Sequence, residues 1–452
     1  MQKSRGVLRK RLDEKFSIPK NEWKTVDHMI FGVDNYFDIP KDSNKNREKA
    51  VIEAFNFHYN NNLFYNQFCK HRNISTYDIK SEKDFVKIPM VPDAFFKEYP
   101  SEKPEDIYKW LYRVSSVDIG KYNFNGKNLT QFLQWAEEKL NGLIFHSSGT
   151  SGKFSIVFRD EISMKRVIHL LLKTFLLHIT ELDDNAHFVY PGSTKTFLTG
   201  GHAIGKASEL FDDEHKHFAT DRFLSLEIIK LMSTGQAVSL KQKLELKMIQ
   251  REMIKGRYKT IKLLQELEKK KEQVAMITFP ILIYDIMNIM EEEGITMNLG
   301  DTDSFIVTGG GWKIHTHSKV TEDEFARRIE KFFGIPQENY RDLYGMSEMN
   351  GAGLSCEKRY KHLTDWIYPM VLDDDMVPVG FGESGRFAFL DPAGYGYPGF
   401  IMTGDRVTLL EECPECDKKG IVIKSEVTRM KGAEARGCGN LMRDLMVKEI
   451  DT

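Results

Sequence analysis

Residues 145–153 bring hydroxyl side chains, two glycines and a lysine together in the sequence Phe-His-Ser-Ser-Gly-Thr-Ser-Gly-Lys. Glycine lets backbone N–H groups approach anionic oxygens, hydroxyl groups donate further hydrogen bonds, and lysine adds a compact positive charge. This combination indicates a loop that binds a polyphosphate. The candidate phosphate ligands are Ser147, Ser148, Gly149, Thr150, Ser151 and Gly152, and Lys153 is a candidate catalytic residue.

The spacing within this loop excludes a P-loop NTPase. A Walker A motif places four residues between its glycines and a serine or threonine after its lysine. Here only two residues separate Gly149 from Gly152, and Phe154 follows Lys153. The phosphate chemistry therefore belongs to a different fold.

A second group of residues could hold a metal ion. Cys356 and His362 lie six positions apart, and Cys413 and Cys416 form a Cys-x-x-Cys pair about 50 residues later. Three thiolates and one imidazole make a donor set of the kind that binds tetrahedral Zn²⁺. We therefore expect structural zinc at these four residues, and the alternative is that they are unconnected core residues.

The pattern of apolar residues predicts an α/β fold around the loop. Short strands at 143–145 and 155–158 form a hairpin that carries the loop, and a helix follows at 161–179. Further strands are expected at 187–190 and 274–279, with a helix or helical pair over 238–273 rather than a coiled coil. The last third is rich in strands, at 366–372, 386–390, 400–403 and 407–410.

Composition limits the partners and the compartment. The 64 Lys and Arg residues nearly balance the 66 Asp and Glu residues, giving a net charge of −2, so no global field favours nucleic acid. Five cysteines in 452 residues are too few for a disulfide framework and suit the cytoplasm. The N-terminus contains no apolar signal region, and we expect no membrane-spanning segment.

Four segments, taken in order, resemble the motifs of the adenylate-forming superfamily: residues 147–153, 305–311, 344–348 and 403–405. The resemblance implies ATP as substrate, with Gly309, Gly310 and Gly311 against the adenine. It also implies that Tyr344 stacks on the adenine and that Asp405 accepts the ribose hydroxyls. Within the motif that contains Gly345 and Met346, Ser347 would meet the α-phosphate, and Glu348 would support Mg²⁺, which needs only one or two carboxylates beside substrate phosphates.

Two segments set the subfamily. Residues 88–97, Ile-Pro-Met-Val-Pro-Asp-Ala-Phe-Phe-Lys, and residues 429–438, Arg-Met-Lys-Gly-Ala-Glu-Ala-Arg-Gly-Cys, resemble the LuxE-like acyl-protein synthetases. That family activates fatty acids with ATP for a partner reductase. The resemblance implies a long-chain fatty acid as the carboxylic acid substrate, a reductase or carrier protein as acceptor, Arg429 at the nucleotide, and Cys438 as the thiol that takes the acyl group. It also supports the zinc expectation, since phenylacetate-CoA-ligase-like relatives hold structural zinc on a similar Cys/His arrangement.

The expected organisation is a large α/β adenylation core over 1–405, with 1–87 as its helical N-terminal extension. A short segment, 406–452, takes the place of the lid domain of about 100 residues that follows the hinge in acyl-CoA synthetases. Two other enzymatic interpretations stay open, an acyl- or aryl-CoA ligase and a biosynthetic adenylating enzyme. A non-catalytic nucleotide-binding scaffold is the alternative from a different class.

Overall fold

The computed structural model describes residues 6–147, 153–234, 239–311, 320–424 and 427–430. The N-terminal region is helical, as expected. Its helices are α1 (Val7–Phe16), α2 (Thr25–Phe31), α3 (Ser43–Asn61), α4 (Leu63–His71), α5 (Pro104–Val114) and α6 (Leu129–Lys139). These helices belong to the same packed body as the rest of the chain, because Arg166 forms a buried two-point ion pair with Asp27.

The remaining helices connect strands. They are α7 (Glu161–Thr174), α8 (Thr199–Ser208), α9 (Leu226–Thr234), α10 (Leu240–Lys270), α11 (Pro280–Glu292) and α12 (Glu322–Phe333). A π-helical turn, Phe175–Ile179, extends α7 over the rest of the predicted helix. The predicted helix or helical pair at 238–273 is one helix, α10, which begins at a capping box of Ser239 and Gln242.

The strands are short. They are β1 (Val91–Pro92), β2 (Gly142–His146), β3 (Ile156–Asp160), β4 (His187–Tyr190), β5 (Lys216–Phe218), β6 (Val274–Thr278), β7 (Phe305–Gly309), β8 (Tyr340–Tyr344), β9 (Gly353–Ser355), β10 (Lys361–Leu363), β11 (Tyr368–Leu372), β12 (Ser384–Leu390), β13 (Phe400–Leu410), β14 (Val422–Ile423) and β15 (Thr428–Arg429). The pairing of β2 with β3 confirms the predicted hairpin.

One large sheet dominates the described residues. Its order is β11-β12-β13-β14-β10-β9-β8-β7-β6-β4-β5, with β1 and β15 also paired to β13. The half from β8 to β5 is parallel, and its central strands β4, β6 and β7 are mostly buried, as is typical of parallel sheets. The other half is antiparallel. The carboxyl ends of β6, β7 and β8 therefore meet at one edge, where open α/β sheets bind ligands.

The strand prediction was wrong at one point. Segments 400–403 and 407–410 are a single strand, β13, because β12 pairs with both halves across a register shift between Arg386 and Ala388. Gly404 and Asp405 therefore lie inside a strand. β13 also continues through residue 405, where the core is expected to end. The division at residue 405 remains a prediction.

Within the described ranges, no helix is both long enough and apolar enough to cross a bilayer.

Candidate active site

At the open end of the β2–β3 hairpin, two hydrogen bonds join the residues on either side of the predicted phosphate loop. The backbone N–H of Ser147 donates to the carbonyl of Ser155 at 3.0 Å, and the N–H of Ser155 donates to Oγ of Ser147 at 2.9 Å. The Ser147 hydroxyl is thus already part of the loop's closure. The predicted phosphate ligands Ser148, Gly149, Thr150, Ser151 and Gly152 lie outside the described residues.

Lys153, at the end of the loop, packs against an aromatic residue that the sequence argument missed. Its Nζ donates to the carbonyl of Tyr99 at 2.8 Å and lies 4.2 Å from the centre of the Tyr99 ring. Tyr99 is buried, and burial raises the pKa of its hydroxyl to about 12. The ammonium is therefore fixed at the wall of the site by a cation–π contact and a hydrogen bond.

Ser347 and Glu348 follow β8 and are both buried. The Ser347 hydroxyl hydrogen-bonds the hydroxyl of Thr199 at 2.9 Å, and Thr199 lies at the first turn of α8. Glu348 accepts a hydrogen bond from the Ser155 side chain. Burial raises the pKa of Glu348, and the negative charge of Asp93 raises it further. A carboxylate held in this environment gains by pairing with a cation.

A buried arginine forms hydrogen bonds with the segment that contains Ser347 and Glu348. Arg159, on β3, donates from Nη2 to the carbonyls of Ser347 at 2.8 Å and Met349 at 2.6 Å, and from Nε to Oδ1 of Asn350 at 2.8 Å. The N–H of Asn350 donates to the buried Asp391. The structure thus fixes the backbone beside Glu348 from two directions. Neither Arg159 nor Asp391 belongs to a motif that the sequence argument used.

Tyr344 and Asp405 meet although 61 positions separate them. The Tyr344 hydroxyl, whose pKa burial raises well above its usual value, donates to Oδ2 of Asp405 at 2.9 Å. Oδ1 of Asp405 accepts from Nη1 of Arg429 at 2.9 Å. β15 pairs Arg429 directly with Asp405 on β13. A side chain at Gly404 would come within 3.0 Å of the guanidinium, so glycine there lets Arg429 lie flat on the strand.

Asp93 completes this group and was not assigned a role from the sequence. Its Oδ2 accepts from Nη2 of Arg429 at 2.7 Å and from the N–H of Gly404 at 3.3 Å. Arg429 therefore bridges two carboxylates, and their negative charges raise the pKa of its guanidinium above the usual arginine value. Asp93 belongs to the segment 88–97 that carried the family resemblance, so that segment supplies part of the site.

The glycine turn lies beside Tyr344. Gly309 ends β7 and pairs with Leu343, the residue before Tyr344. Gly310 and Gly311 have φ values of 79° and 63°, in the left-handed region that favours glycine. Gly345 and Met346 begin the segment that Arg159 clamps. The turn and the tyrosine thus form two adjacent ends of parallel strands, at the edge expected for a ligand.

The four predicted zinc ligands come together although the sequence separates them by up to 60 positions. The ligand atoms of Cys356, His362, Cys413 and Cys416 all lie within 4.8 Å of one another. Nε2 of His362 is 3.4 Å from Sγ of Cys416, close to the roughly 3.5 Å that a shared tetrahedral Zn²⁺ would impose. Nδ1 of His362 donates to the Lys419 carbonyl at 3.2 Å, which leaves Nε2 as the ligand atom.

Burial also sets the protonation of this cluster. It lowers the pKa of His362 to about 4, so the imidazole is neutral, as a metal ligand must be. It raises the pKa of the Cys416 thiol to about 12. The residues present fit zinc, because a bound dication would reverse the second effect and hold the thiols as thiolates.

Comparison with solved structures shows which fold this chain has. A solved structure of 2-hydroxyisobutyryl-CoA ligase, in complex with its acyl-AMP and CoA, aligns over 93% of this chain and 82% of its own, with a TM-score of 0.56 and 13% identity. A second structure of that ligase, in the postadenylation state, aligns over 92% of this chain and 73% of its own, with a TM-score of 0.57 and 13% identity. The fold is that of the adenylate-forming ligases, which confirms the predicted fold class.

Within that class the sequence comparisons are more specific. The family described as "Acyl-protein synthetase, LuxE" matches residues 249–447. A long-chain-fatty-acid–luciferin-component ligase of Aliivibrio fischeri is 25% identical over 406 residues, covering 89% of each chain. Another from Vibrio harveyi is 23% identical over 439 residues, covering 94% of this chain and 95% of its own. The chain is thus similar in sequence to the LuxE-like acyl-protein synthetases, which confirms the resemblance that the motifs predicted.

Proposed function

We propose that this protein activates a long-chain fatty acid with ATP, forming an acyl-adenylate, and transfers the acyl group to a protein thiol. One observation carries the proposal. A continuous series of contacts joins the loop at Ser147 and Ser155 to Glu348, and the charge of Asp93 links Glu348 to Arg429 and Asp405. The names of the two bacterial relatives support a long-chain fatty acid as the substrate.

The nucleoside would bind at the ends of β7 and β8, beside Asp405 within β13. Asp405 already accepts hydrogen bonds from Tyr344 and Arg429, yet a carboxylate has about four lone-pair positions, so room remains for ribose hydroxyls. The ring of Tyr344 and the turn at Gly309 offer an aromatic face and an open backbone for adenine. Arg429, with half its side chain exposed, can turn one nitrogen to the nucleotide without leaving both carboxylates.

The triphosphate would lie between Lys153 and Glu348. Attack of a carboxylate on the α-phosphorus needs charge neutralisation and in-line positioning more than a protein nucleophile. Lys153 supplies a fixed positive charge, and Ser347 supplies a hydroxyl held by Thr199. Glu348 is the carboxylate that would hold Mg²⁺, which neutralises phosphate charge when bound. Burial raises the pKa of Glu348, and a cation bound beside it would favour the carboxylate form.

The transfer step completes the reaction. A thiolate sulfur would attack the acyl carbon of the mixed anhydride, forming a thioester while the bond to AMP breaks and AMP leaves with the electron pair. We propose Cys438 as this thiol, with a reductase or carrier protein as the next acceptor. Cys438 lies outside the described residues. If Cys438→Ser retained full acyl transfer, the assignment of this residue would be wrong while adenylation stood.

The decisive experiment is ATP–pyrophosphate exchange with acids from acetate to tetradecanoate, phenylacetate and hydroxylated aryl acids, with and without Mg²⁺. We expect Mg²⁺-dependent exchange that is greatest with the long-chain acid. Lys153→Ala should lose exchange, while Lys195→Ala, an exposed lysine paired with Asp221, serves as the matched control. Exchange with aryl acids and thioester formation on coenzyme A would favour a CoA ligase. Silence in folded protein that binds ATP would favour a scaffold.

We also propose that the Cys356 cluster holds structural zinc, that the adenylation core spans 1–405, and that the protein acts in the cytoplasm. The zinc proposal rests on the convergence of four ligand atoms and on the neutral His362. Metal analysis of protein purified without added zinc tests it directly. One equivalent per chain is expected, and protein that is folded, active and free of metal would contradict it.

A further inference from the structure

The helix α10 extends past the sheet that it covers. Its 31 residues span about 46 Å, whereas the five residues of β6 span about 17 Å. Near its middle, a side chain at Gly256 would touch Ala219, the residue after β5, and Nζ of Lys259 donates to the carbonyl of Phe218. Gly256 is therefore level with the carboxyl end of β5.

The first half of α10 consequently lies beyond the carboxyl edge of the sheet, the same edge that carries the active site. A helix that connects two parallel strands runs antiparallel to them, so α10 begins on the carboxyl side. Most of its buried residues belong to the second half, from Gly256 to Leu267. In the first half, Ile249 is buried and Glu252 pairs with Arg222 at 2.6 Å, which fixes the side that faces the protein.

The opposite side of this half carries two parallel rows of side chains, which we call the α10 face. Residues four apart form a row along a helix, and residues three apart belong to neighbouring rows. One row is apolar and the next is basic, and they consist of Leu240, Leu244 and Met248, and of Lys243, Lys247, Arg251 and Lys255. The three apolar side chains are 80%, 64% and 60% exposed. No carboxylate among the described residues lies within ion-pair distance of the basic row.

We propose that the α10 face docks a small acidic carrier protein whose thiol is the next acceptor of the activated acyl group. The proposal rests on the proposed function and names the partner of that reaction. An acidic surface would neutralise the basic row, and an apolar groove on the partner would cover the leucines and the methionine. The face is about 22 Å long from Leu240 to Lys255 and one helix wide, which suits a transient contact rather than a permanent subunit interface.

Other occupants fit this face less well. A second copy related by a two-fold axis would place the basic row against itself or against the apolar row, and either arrangement leaves the cations without carboxylates. A helix that inserts into a membrane surface usually carries aromatic anchors, and neither row contains one. The carrier therefore accounts for both rows, the second copy accounts for only one, and a membrane-binding helix would be expected to carry aromatic anchors as well.

The test separates docking from catalysis. Arg251→Glu with Lys255→Glu reverses the basic row, and Lys269→Glu with Lys270→Glu makes the same charge change at the far end of α10. Pyrophosphate exchange with tetradecanoate should be the same in all three proteins. Transfer of the acyl group to holo acyl carrier protein should show a KM about tenfold higher for the first variant only, with the difference shrinking as salt rises. Leu244→Gln with Met248→Gln should raise the same KM without that salt dependence.

Several outcomes would overturn the docking site. The first is an equal KM for the carrier protein in the two charge-reversal variants. The second is a parent protein that performs pyrophosphate exchange but transfers no acyl group to the carrier. The third is a change in oligomeric state when the charges of the basic row are reversed. Binding to phosphatidylglycerol vesicles that the Arg251 variant alone loses, with carrier transfer intact, would assign the face to a membrane instead. A parent protein without exchange would refute the proposed function itself, and it is recognised separately because exchange needs no acceptor.

Discussion

Replacing Asp93 by asparagine tests whether this residue orients Arg429 for the nucleotide. The substitution keeps the shape and removes the charge. It weakens the 2.7 Å contact with Nη2 of Arg429 and replaces the charged acceptor of the Gly404 N–H with a neutral one. Arg429 keeps its 2.9 Å contact with Asp405 but loses the second anchor that sets its direction.

The expected size follows from exposure. The Arg429 side chain is 58% exposed, so the ion pair is screened and contributes about 0.5–1 kcal/mol, with roughly 0.5 kcal/mol more for the charged hydrogen bond. A loss of about 1–1.5 kcal/mol corresponds to a factor of roughly 5–13. The KM for ATP in pyrophosphate exchange should rise by that factor, while the KM for the fatty acid stays unchanged. The melting temperature should fall by less than about 2 °C.

Two controls make this result specific. Asp212→Asn removes a comparable partner of an arginine, because Asp212 accepts from Arg11 at 2.9 Å away from the site, and it should leave both KM values unchanged. In a double-mutant cycle with Arg429→Gln, the double variant should be no worse than Arg429→Gln alone, since Asp93 acts through that side chain. Additive losses, or a KM for ATP within twofold of the parent, would refute the reasoning.

Three further predictions concern buried groups. Glu348→Gln should lower the rate of pyrophosphate exchange about 100-fold. Because the pKa of Glu348 is raised in the folded protein, the parent loses stability as pH rises above the usual glutamate pKa near 4.3. Thermal melts from pH 4 to 8 should therefore show a flatter stability profile for the Gln variant, and a Gln variant less stable than the parent at pH 7 would contradict this. Arg159→Met should cost about 3–5 kcal/mol in urea unfolding, because two buried acceptors lose their donor and the Ser347 carbonyl keeps only the Tyr397 hydroxyl at 3.4 Å; a cost below 1 kcal/mol would refute this role of Arg159. Cys416→Ser should lose the zinc equivalent that Cys69→Ala, a buried cysteine outside the cluster, retains; equal metal content in both would exclude Cys416 as a ligand.

The local sequence was sufficient wherever a structural feature depends on neighbouring residues. The hairpin of β2 and β3, the strand at His187–Tyr190 and the long helix α10 follow from apolar spacing and capping, which act over a few residues. The run of glycines after β7 predicts a turn. The positive φ values observed at Gly310 and Gly311 suit glycine better than any other residue. The alternation of strand and helix patterns also indicated the α/β class, and the order of the motifs indicated the resemblance to the LuxE-like family.

Long-range pairing was beyond that information. Nothing near Asp93 in the sequence indicates that it meets Arg429, 336 positions later, and nothing near Arg159 indicates that it holds the backbone beside Glu348. The sequence predicts two strands, at 400–403 and 407–410, where the structure has the single strand β13. Pairing with β12 and β15 keeps the strand continuous, and that pairing is a tertiary property.

The sequence by itself determined the chemical inventory of this protein: a loop rich in glycine and hydroxyl groups, a serine–glutamate motif, the aspartate proposed to bind ribose and a Cys₃His set, in an order that resembles the motifs of one family. Only the tertiary structure decided which of these groups share a site and how their charges interact. The raised pKa of Glu348, the bridging of Asp93 and Asp405 by Arg429, and the exposure of the α10 face all depend on burial and on contacts between distant segments. Side-chain type fixes what a group can do, but its surroundings set its charge and its partners, and folding alone supplies those surroundings.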